Sequence, residues 1–270
     1  MDGLPFAPDA AIRDVDGEAV ILGGGGRALL MQIAHPLVAQ GVAEHSEWRA
    51  NRYGRLLRTL RPMFAIVFGN GEEVRDAARG VNAVHRGVTG AGYHAGDPEL
   101  LLWVHATLVD TALQCHRRFV GALPPEREAR YYDDTKLVGR VLGVPDSLLP
   151  DDLDAFNAYL EATIAELEVT ETARTIAREL CRPVPPFGPL IVPWRELTAG
   201  LLPPRLRQAY GMPWDPVRDA LIEGASGLSR AVWPRLPRAL RRPPALLLPP
   251  SARRRYGAPT RLGAYAPGAR

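Results

Sequence analysis

Apolar residues recur along much of the chain at spacings of three and four, which is the period of an amphipathic helix. The clearest example is the segment 98–119, where Asp97 supplies an N-cap and Pro98 stands at the first helical position. Strand signals are scarce, because β-branched runs such as 19–22 stand alone, without the alternating repeats that a sheet needs. The pattern therefore predicts an all-α fold.

The same signals mark further helices along the chain. They combine a capping residue or proline at the start with glycine or proline after the end. Prolines become dense after Cys181, so we expect the chain to cross the surface there before it forms short helices. The further predicted helices are 27–45, 124–142, 151–167, 170–181, 194–200 and 215–232.

Three histidines lie within these helical apolar patterns. His105 follows Leu101 and Leu102 by four and three residues, and His35 precedes Pro36, which should bend its helix. A lone histidine on an apolar face is more often a hydrogen-bonded core residue than a ligand, but three of them favour a cofactor. His85 joins an apolar stripe made of Val74, Ala77, Ala78, Val81, Val84 and Val88.

The cofactor that these histidines fit best is a haem. A zinc hydrolase would need HExxH or nearby carboxylates, and the acid beside these histidines is Glu44, next to His45. A haem iron needs one neutral imidazole on an apolar helix face, with a polar group opposite. Thr107, two residues after His105 on the same predicted helix, is a further candidate for cofactor binding.

A basic segment precedes His85 by about thirty residues. Arg55 and Thr59 share one helical face, and Arg58 lies beside Arg55. An arginine can pair with a haem propionate or polarise bound dioxygen, and the threonine hydroxyl can donate a hydrogen bond. A solvent-facing basic patch is an equal alternative on spacing alone.

The glycine run at 23–26, followed by Arg27-Ala28, formally satisfies G-x-G-x-x-A. A dinucleotide site would also need a strand before the glycines, a βαβ unit, and an acid about twenty residues on, for which Glu44 is the candidate. No second strand precedes Glu44, so a dinucleotide-binding oxidoreductase is the weaker interpretation. The alternative is that the glycines let the chain approach a neighbour or turn into the next helix.

Composition limits the partners. The 270 residues, 46% hydrophobic, are enough for one large core. Net charge is +3, but residues 230–270 hold ten arginines and no acid, which leaves 23 basic against 30 acidic residues, about −7, in 1–229. That acidic body argues against nucleic acid as a partner. We expect residues 1–232 to form the domain and 233–270 a Pro/Arg-rich tail, which wraps the body or contacts an anionic surface.

Targeting and redox signals are weak. No apolar run approaches the roughly 20 residues that span a bilayer, and the acidic N-terminus lacks the features of a secretory signal, so we expect a cytoplasmic protein. Cys115 and Cys181 have no CxxC spacing and are interpreted as buried small hydrophobes.

Five blocks in order and at characteristic spacing resemble the MpaB-type oxygenase family, which includes the catalytic domain of rubber oxygenases, the latex clearing proteins. The resemblance covers roughly residues 20–230. The blocks are GGGRALLMQIAHPLVAQGVAEHS, RLLRT, VNAVHRGVTG, DPELLLWVHATLVDT and LLPPRLRQAYGMPW.

This resemblance implies a globin-like helical core, a haem b held by one proximal histidine, and dioxygen-dependent cleavage of carbon–carbon double bonds in isoprenoid chains. It places the proximal histidine at His85 and the distal Arg-x-x-Lys-Thr sequence at Arg55 to Thr59, with Arg58 in place of the lysine. Arginine does not become the neutral amine that could ligate iron. Glu44 is the nearest acid for the catalytic glutamate, at a shorter offset than the family implies.

The sequence thus predicts a haem-dependent oxygenase or peroxidase-like enzyme that acts on a small apolar, isoprenoid-like substrate rather than on polyisoprene. We expect His85 to bind iron, His105 to be a pocket residue or alternative ligand, and His35 to line the cofactor site. A non-catalytic haem carrier or gas sensor, and a helical lipid-binding or scaffold protein without cofactor, are alternatives that use the same helices.

Overall fold

The computed structural model describes residues 5–45, 52–182 and 188–256, and within them the fold is all-α, as predicted. The strands in these ranges are a two-stranded antiparallel pair, β1 (Thr89–Gly90) and β2 (Tyr93–His94), which sequence analysis did not predict.

The helices follow one another closely. Those of the first half are α1 (Ala11–Asp16), α2 (Gly25–Ala34), α3 (Pro36–His45), α4 (Arg52–Phe68), α5 (Gly71–Gly87), α6 (Pro98–Phe119) and α7 (Pro125–Val141). Those of the second half are α8 (Leu153–Glu166), α9 (Glu171–Leu180), α10 (Gly188–Leu201), α11 (Pro204–Ala209), α12 (Pro216–Val232), α13 (Arg238–Arg241) and α14 (Pro250–Tyr256).

The helix ends follow the capping chemistry of the sequence. The Asp97 side chain accepts from the backbone N–H of Glu99 at the start of α6, and Thr170 caps α9. The cap of α8 is Asp152, one residue beyond the predicted start. After α7, Gly143 has a φ of +99°, a conformation that glycine adopts without the steric cost of a Cβ.

Helix α6 forms the centre of the core and is buried over most of its length. It contacts α1, α2, α7 and α12, as well as a 3-10 helix over Ala19–Gly24. Trp103 and Leu113 are each 1% exposed. Residues on α6 are therefore surrounded by helices on several sides, which sets the environment of His105.

The glycine run does not follow a strand. Residues 19–24 form the 3-10 helix, and α2 begins at Gly25, so the dinucleotide interpretation was wrong. A Cβ on Gly24 would lie 2.5 Å from the Cys115 sulfur, and one on Gly26 would lie 2.7 Å from a ring carbon of Trp194. The glycines thus allow α2 to approach α6 and α10.

The predicted helix 27–45 is broken rather than bent. α2 ends at Ala34, His35 takes an extended conformation with φ −73° and ψ 124°, and α3 starts at Pro36. The residue before a proline is pushed out of the helical region by the ring, which explains the break at His35. Proline itself is tolerated inside α4, where Pro62 lies within the helix.

The apolar stripe predicted for α5 is only partly buried. Val74 is 8% exposed and Val81 packs on the core, but Val84 is 65% exposed. The prediction for Val84 was therefore wrong, because the buried face of α5 narrows toward its C-terminal end.

The C-terminal segment packs against the body within the described residues. Arg241 pairs with Glu18 of the N-terminal region, and the Ser251 backbone N–H donates to Glu73 of α5 at 3.0 Å. Leu247 and Leu248 are buried, whereas Leu246 is 49% exposed, so two of the three leucines of this run join the core.

The proline-dense segment after Cys181 is more helical than predicted. α10 already begins at Gly188, and Pro193 lies inside it. Residues 183–187, which include Pro183, Pro185 and Pro186, lie outside the described residues.

Candidate functional site

Each of the three predicted histidines has one buried ring nitrogen without a hydrogen-bond partner among the described residues. These atoms are Nδ1 of His35, Nδ1 of His85 and Nε2 of His105. Buried polar atoms in folded proteins are nearly always hydrogen-bonded, so such atoms call for an explanation. A metal or haem cofactor would give an imidazole nitrogen a partner that the chain itself does not provide.

His85 lies near the C-terminal end of α5 and is half-buried. Burial, followed by the nearby His94 of β2, lowers the pKa of His85 below its ordinary value of 6.5. The ring is therefore neutral at pH 7, the state in which imidazole binds a metal. These two histidines could not be linked from the sequence, because the hairpin that carries His94 was not predicted.

His105 is buried on α6 against α7. Its Nε2 would lie 3.2 Å from a Cβ placed on Gly139, and the Leu149 side chain borders the same space. Burial lowers the pKa of His105 to about 4. On the same helix, Thr107 is fully buried, and its hydroxyl donates to the Val104 carbonyl at 2.7 Å.

His35 stands at the break between α2 and α3, close to the start of α6. Burial lowers its pKa, and the charges of Asp97 and Glu99 act in the opposite direction. The three histidines thus lie in separate surroundings: His85 beside the β-hairpin, His105 against α7, and His35 near the first turn of α6.

Glu44 is exposed at the end of α3 and is tied to the β-hairpin. The Tyr93 hydroxyl donates to Glu44 Oε2 at 2.6 Å, and the Gln40 amide donates to Oε1 at 2.9 Å. The hydrogen bond from Tyr93 is the main reason that the pKa of Glu44 is lowered. His45 Nε2 lies 2.9 Å from the Thr89 carbonyl oxygen on the same hairpin.

The basic segment lies on α4, which forms a helical hairpin with α5. Arg58 and Thr59 have exposed side chains, and Arg55 lies in the helix, its side chain outside the described part of the structure. The connection at 69–70 joins two helices of equal length. Residues at equal distances in sequence from this connection therefore lie at the same height along the hairpin, which places 55–59 opposite 80–84. The segment and His85 therefore lie toward the same end of the hairpin.

A buried ion pair that sequence analysis missed joins α2 to α6. Arg27 pairs with Asp110, and its guanidinium also donates to the Thr111 hydroxyl at 2.7 Å and to the Leu201 carbonyl at 2.8 Å. The helical period of apolar residues contains no signal for such a pair, because the two partners lie 83 residues apart.

Two further observations bear on the site. Among residues 5–45, 52–182 and 188–256, no three His, Cys, Asp or Glu side chains are grouped so that they could hold a metal ion. A haem iron can be held by a single protein imidazole, so the absence of such a group among these residues does not bear on haem binding. In the same ranges no helix combines the length and the apolar character that crossing a membrane requires.

The chain belongs to the family described as ER-bound oxygenase mpaB/B'/Rubber oxygenase, catalytic domain, whose profile matches residues 13–233. The family is one of oxygenases, and membership supports an enzymatic role with a substrate and dioxygen as partners.

Two bacterial proteins are also similar to the chain. They are the uncharacterized protein Mb2261 of Mycobacterium bovis and the uncharacterized protein Rv2237 of Mycobacterium tuberculosis. Each is 29% identical over 212 residues, covering 72% of this chain and 82% of the relative. No solved structure matches the chain significantly.

Proposed function

We propose that the protein is a haem-b-dependent oxygenase and that His85 is the iron ligand. The observation that carries the proposal is the state of His85: a half-buried, neutral imidazole with one buried nitrogen unpartnered among the described residues. It lies in a chain that belongs to an oxygenase family. The haem would supply the activation of dioxygen, and the protein would supply binding, orientation and the exclusion of water.

The residues present fit this cofactor. A neutral imidazole is the form that ligates iron, and lowering the pKa of His85 keeps it neutral without a further partner. Arg58 is exposed on α4, so its guanidinium can pair with a haem propionate. Arg55 and Thr59 belong to the same polar side in this proposal, because they occupy neighbouring positions of the same helix.

His105, Thr107 and His35 are proposed to border the cofactor rather than to hold the iron. His105 is neutral and fully enclosed, so it can hydrogen-bond without bringing charge into an apolar space. Thr107 already donates to Val104, which leaves its hydroxyl oxygen available as an acceptor. A cytoplasmic location is part of the same proposal.

Glu44 is proposed as the catalytic carboxylate, acting as a base. Its hydrogen bonds from Tyr93 and Gln40 hold the carboxylate in one position and favour its ionised form. An ionised carboxylate can accept a proton from the substrate during the reaction and return it, so that no net proton transfer is needed. The substrate is proposed to be a small apolar alkene of isoprenoid type, and cleavage of one double bond by one dioxygen gives two carbonyl groups with one oxygen atom each.

The test is turnover by the protein loaded with haem. Loaded protein is incubated with squalene, as an isoprenoid alkene, under ¹⁸O₂, and the products are analysed by mass spectrometry. The proposal predicts carbonyl products that carry one ¹⁸O in each fragment. A protein that binds carbon monoxide through its haem but leaves the alkene intact would instead be a carrier or gas sensor.

A further inference from the structure

A cavity of about 430 Å³ lies between the N-terminal region and the C-terminal segment. Its walls come from α1, the end of α4, α6 and residues 238–248, and none of the three candidate histidines lines it. Its size falls within the range of small-molecule sites, about 300 to 1,000 Å³. The C-terminal segment therefore completes a space that the body alone does not enclose.

The lining of this cavity is cationic. Four arginines line it, against the two acids Asp14 and Glu18. Both acids have arginine partners: Arg127, which does not line the cavity, pairs with Asp14, and Arg241 pairs with Glu18. Four arginines and two acids give the lining a formal charge of +2. The four arginines are Arg13, Arg238, Arg241 and Arg242.

The buried part of the lining combines a charged side chain with apolar surface. Arg13 is 5% exposed, and its guanidinium lies 5.9 Å from the centre of the Phe68 ring, within reach of a cation–π interaction. Leu248 and Pro243, which also line the cavity, are buried. Arg238 is exposed, so positive charge also marks the side nearer the solvent.

His116 contributes an uncharged side chain to the lining of the cavity. Its Nδ1 lies 3.0 Å from the Gly121 carbonyl oxygen, which only accepts, so Nδ1 carries the hydrogen. Burial lowers the pKa of His116, so the ring is uncharged at pH 7 and its Nε2 is an acceptor. The positive charge of the cavity therefore comes from arginines, which stay charged at all ordinary pH values.

We propose that this cavity binds a small amphiphile, an apolar chain that ends in an anionic oxygen head group such as a carboxylate or a phosphate monoester. The planar guanidinium groups of the lining arginines match both head groups. The Phe68 and Leu248 side chains contact the apolar tail of the amphiphile. The proposal does not depend on haem, because the cavity and the candidate iron ligand are formed by different residues.

The test is calorimetric titration of the full chain with octanoate and octyl phosphate, with octanol as the neutral analogue. The anions are expected to bind and octanol to bind at least about tenfold more weakly, since hydrogen bonds to charged groups are the stronger ones. The double variant Arg238→Gln/Arg242→Gln should weaken anion binding by about fivefold or more. Arg255→Gln removes an exposed arginine of the same segment from outside the cavity and should leave the affinity unchanged.

Equal affinities of the two variants, equal binding of octanol, or no binding of either anion by the wild type would overturn the proposal. Sedimentation with anionic vesicles separates a surface-binding role from a cavity site. Vesicle binding that Arg255→Gln weakens as much as the double variant, and that octanoate does not displace, would assign the arginines to a membrane surface instead. Circular dichroism of each variant confirms that the fold is retained.

Discussion

The imidazole of His105 and the backbone of Gly139 face each other across α6 and α7, so that a side chain at position 139 would crowd the ring. A Cβ there would lie 3.2 Å from Nε2. The ring is enclosed to the point that burial lowers its pKa to about 4. This enclosure has a consequence for the stability of the protein in acid.

We expect His105 to make the fold sensitive to pH between about 6.5 and 4. In this range the unfolded histidine takes up a proton and the native one does not, so the free energy of unfolding falls as the pH decreases. The contribution is complete above pH 6.5 and amounts to at most about 3 kcal/mol. Denaturant unfolding of His105→Leu should therefore show a flatter pH dependence than the wild type.

The informative quantity is the slope of the free energy of unfolding against pH, since the substitution also changes packing and so shifts the whole curve. Above pH 7 the two stability curves should run parallel, which serves as an internal control. Curves that stay parallel down to pH 4 would show that His105 is protonated in the native state.

A second expectation concerns the glycines at the start of α2. Gly26→Ala should lower the free energy of unfolding by about 1 to 3 kcal/mol, because the new methyl group meets Thr198 and Trp194. Gly25→Ala is the matched control, since nothing lies within 4 Å of its Cβ position, and alanine favours a helix over glycine. Chemical denaturation of both variants measures the difference. Equal losses would contradict the close approach of α10 to α2.

The ion pair between Arg27 and Asp110 should matter far more than an exposed one. Asp110→Asn leaves a guanidinium buried without its counter-charge, a change that costs about 3 to 5 kcal/mol. Asp76→Asn breaks the pair with Arg79, whose side chains are 57% and 71% exposed, and should change stability by less than about 0.5 kcal/mol. Similar midpoints of thermal unfolding for the two variants would refute the buried character of the first pair.

Position 58 offers a test of the distal side. Arg58→Lys places an amine at the position for which the resemblance implies a lysine, and this amine is expected to ligate iron once it loses its proton toward pH 10. Ferric spectra of the haem-loaded variant should change between pH 6 and 10, whereas Arg79→Lys, on the exposed face of α5, should titrate like the wild type. Identical titrations of both variants would place residue 58 away from the iron.

The sequence predicted those features of the fold that short-range chemistry determines. The starts of α6 and α9 follow from Asp97 and Thr170, whose side chains bond to the first backbone amides of their own helices. The break at His35 is also a local effect, since it comes from the proline that follows. Only a bend was predicted, because proline can lie within a helix, as Pro62 does in α4.

Features that depend on distant partners were not predictable in this way. The bond from Tyr93 to Glu44 spans 49 residues, and the hairpin that carries Tyr93 has only two residues in each strand. The exposure of Val84 depends on how far neighbouring helices extend over α5, which no periodicity within α5 records. The family resemblance indicated His85, and the state of its ring nitrogens came from the structure.

The most direct test of the central claim is the haem content of His85→Ala. Wild type, His85→Ala and His105→Ala are loaded with haem under the same conditions, and haem per chain is measured from the absorption spectrum, with circular dichroism to confirm folding. We expect the wild type to retain haem, His85→Ala to lose most of it, and His105→Ala to retain it with a shifted spectrum, because only one imidazole binds the iron. Full haem content and an unchanged spectrum in His85→Ala would contradict the account, and loss of haem in His105→Ala alone would transfer the ligand role to His105.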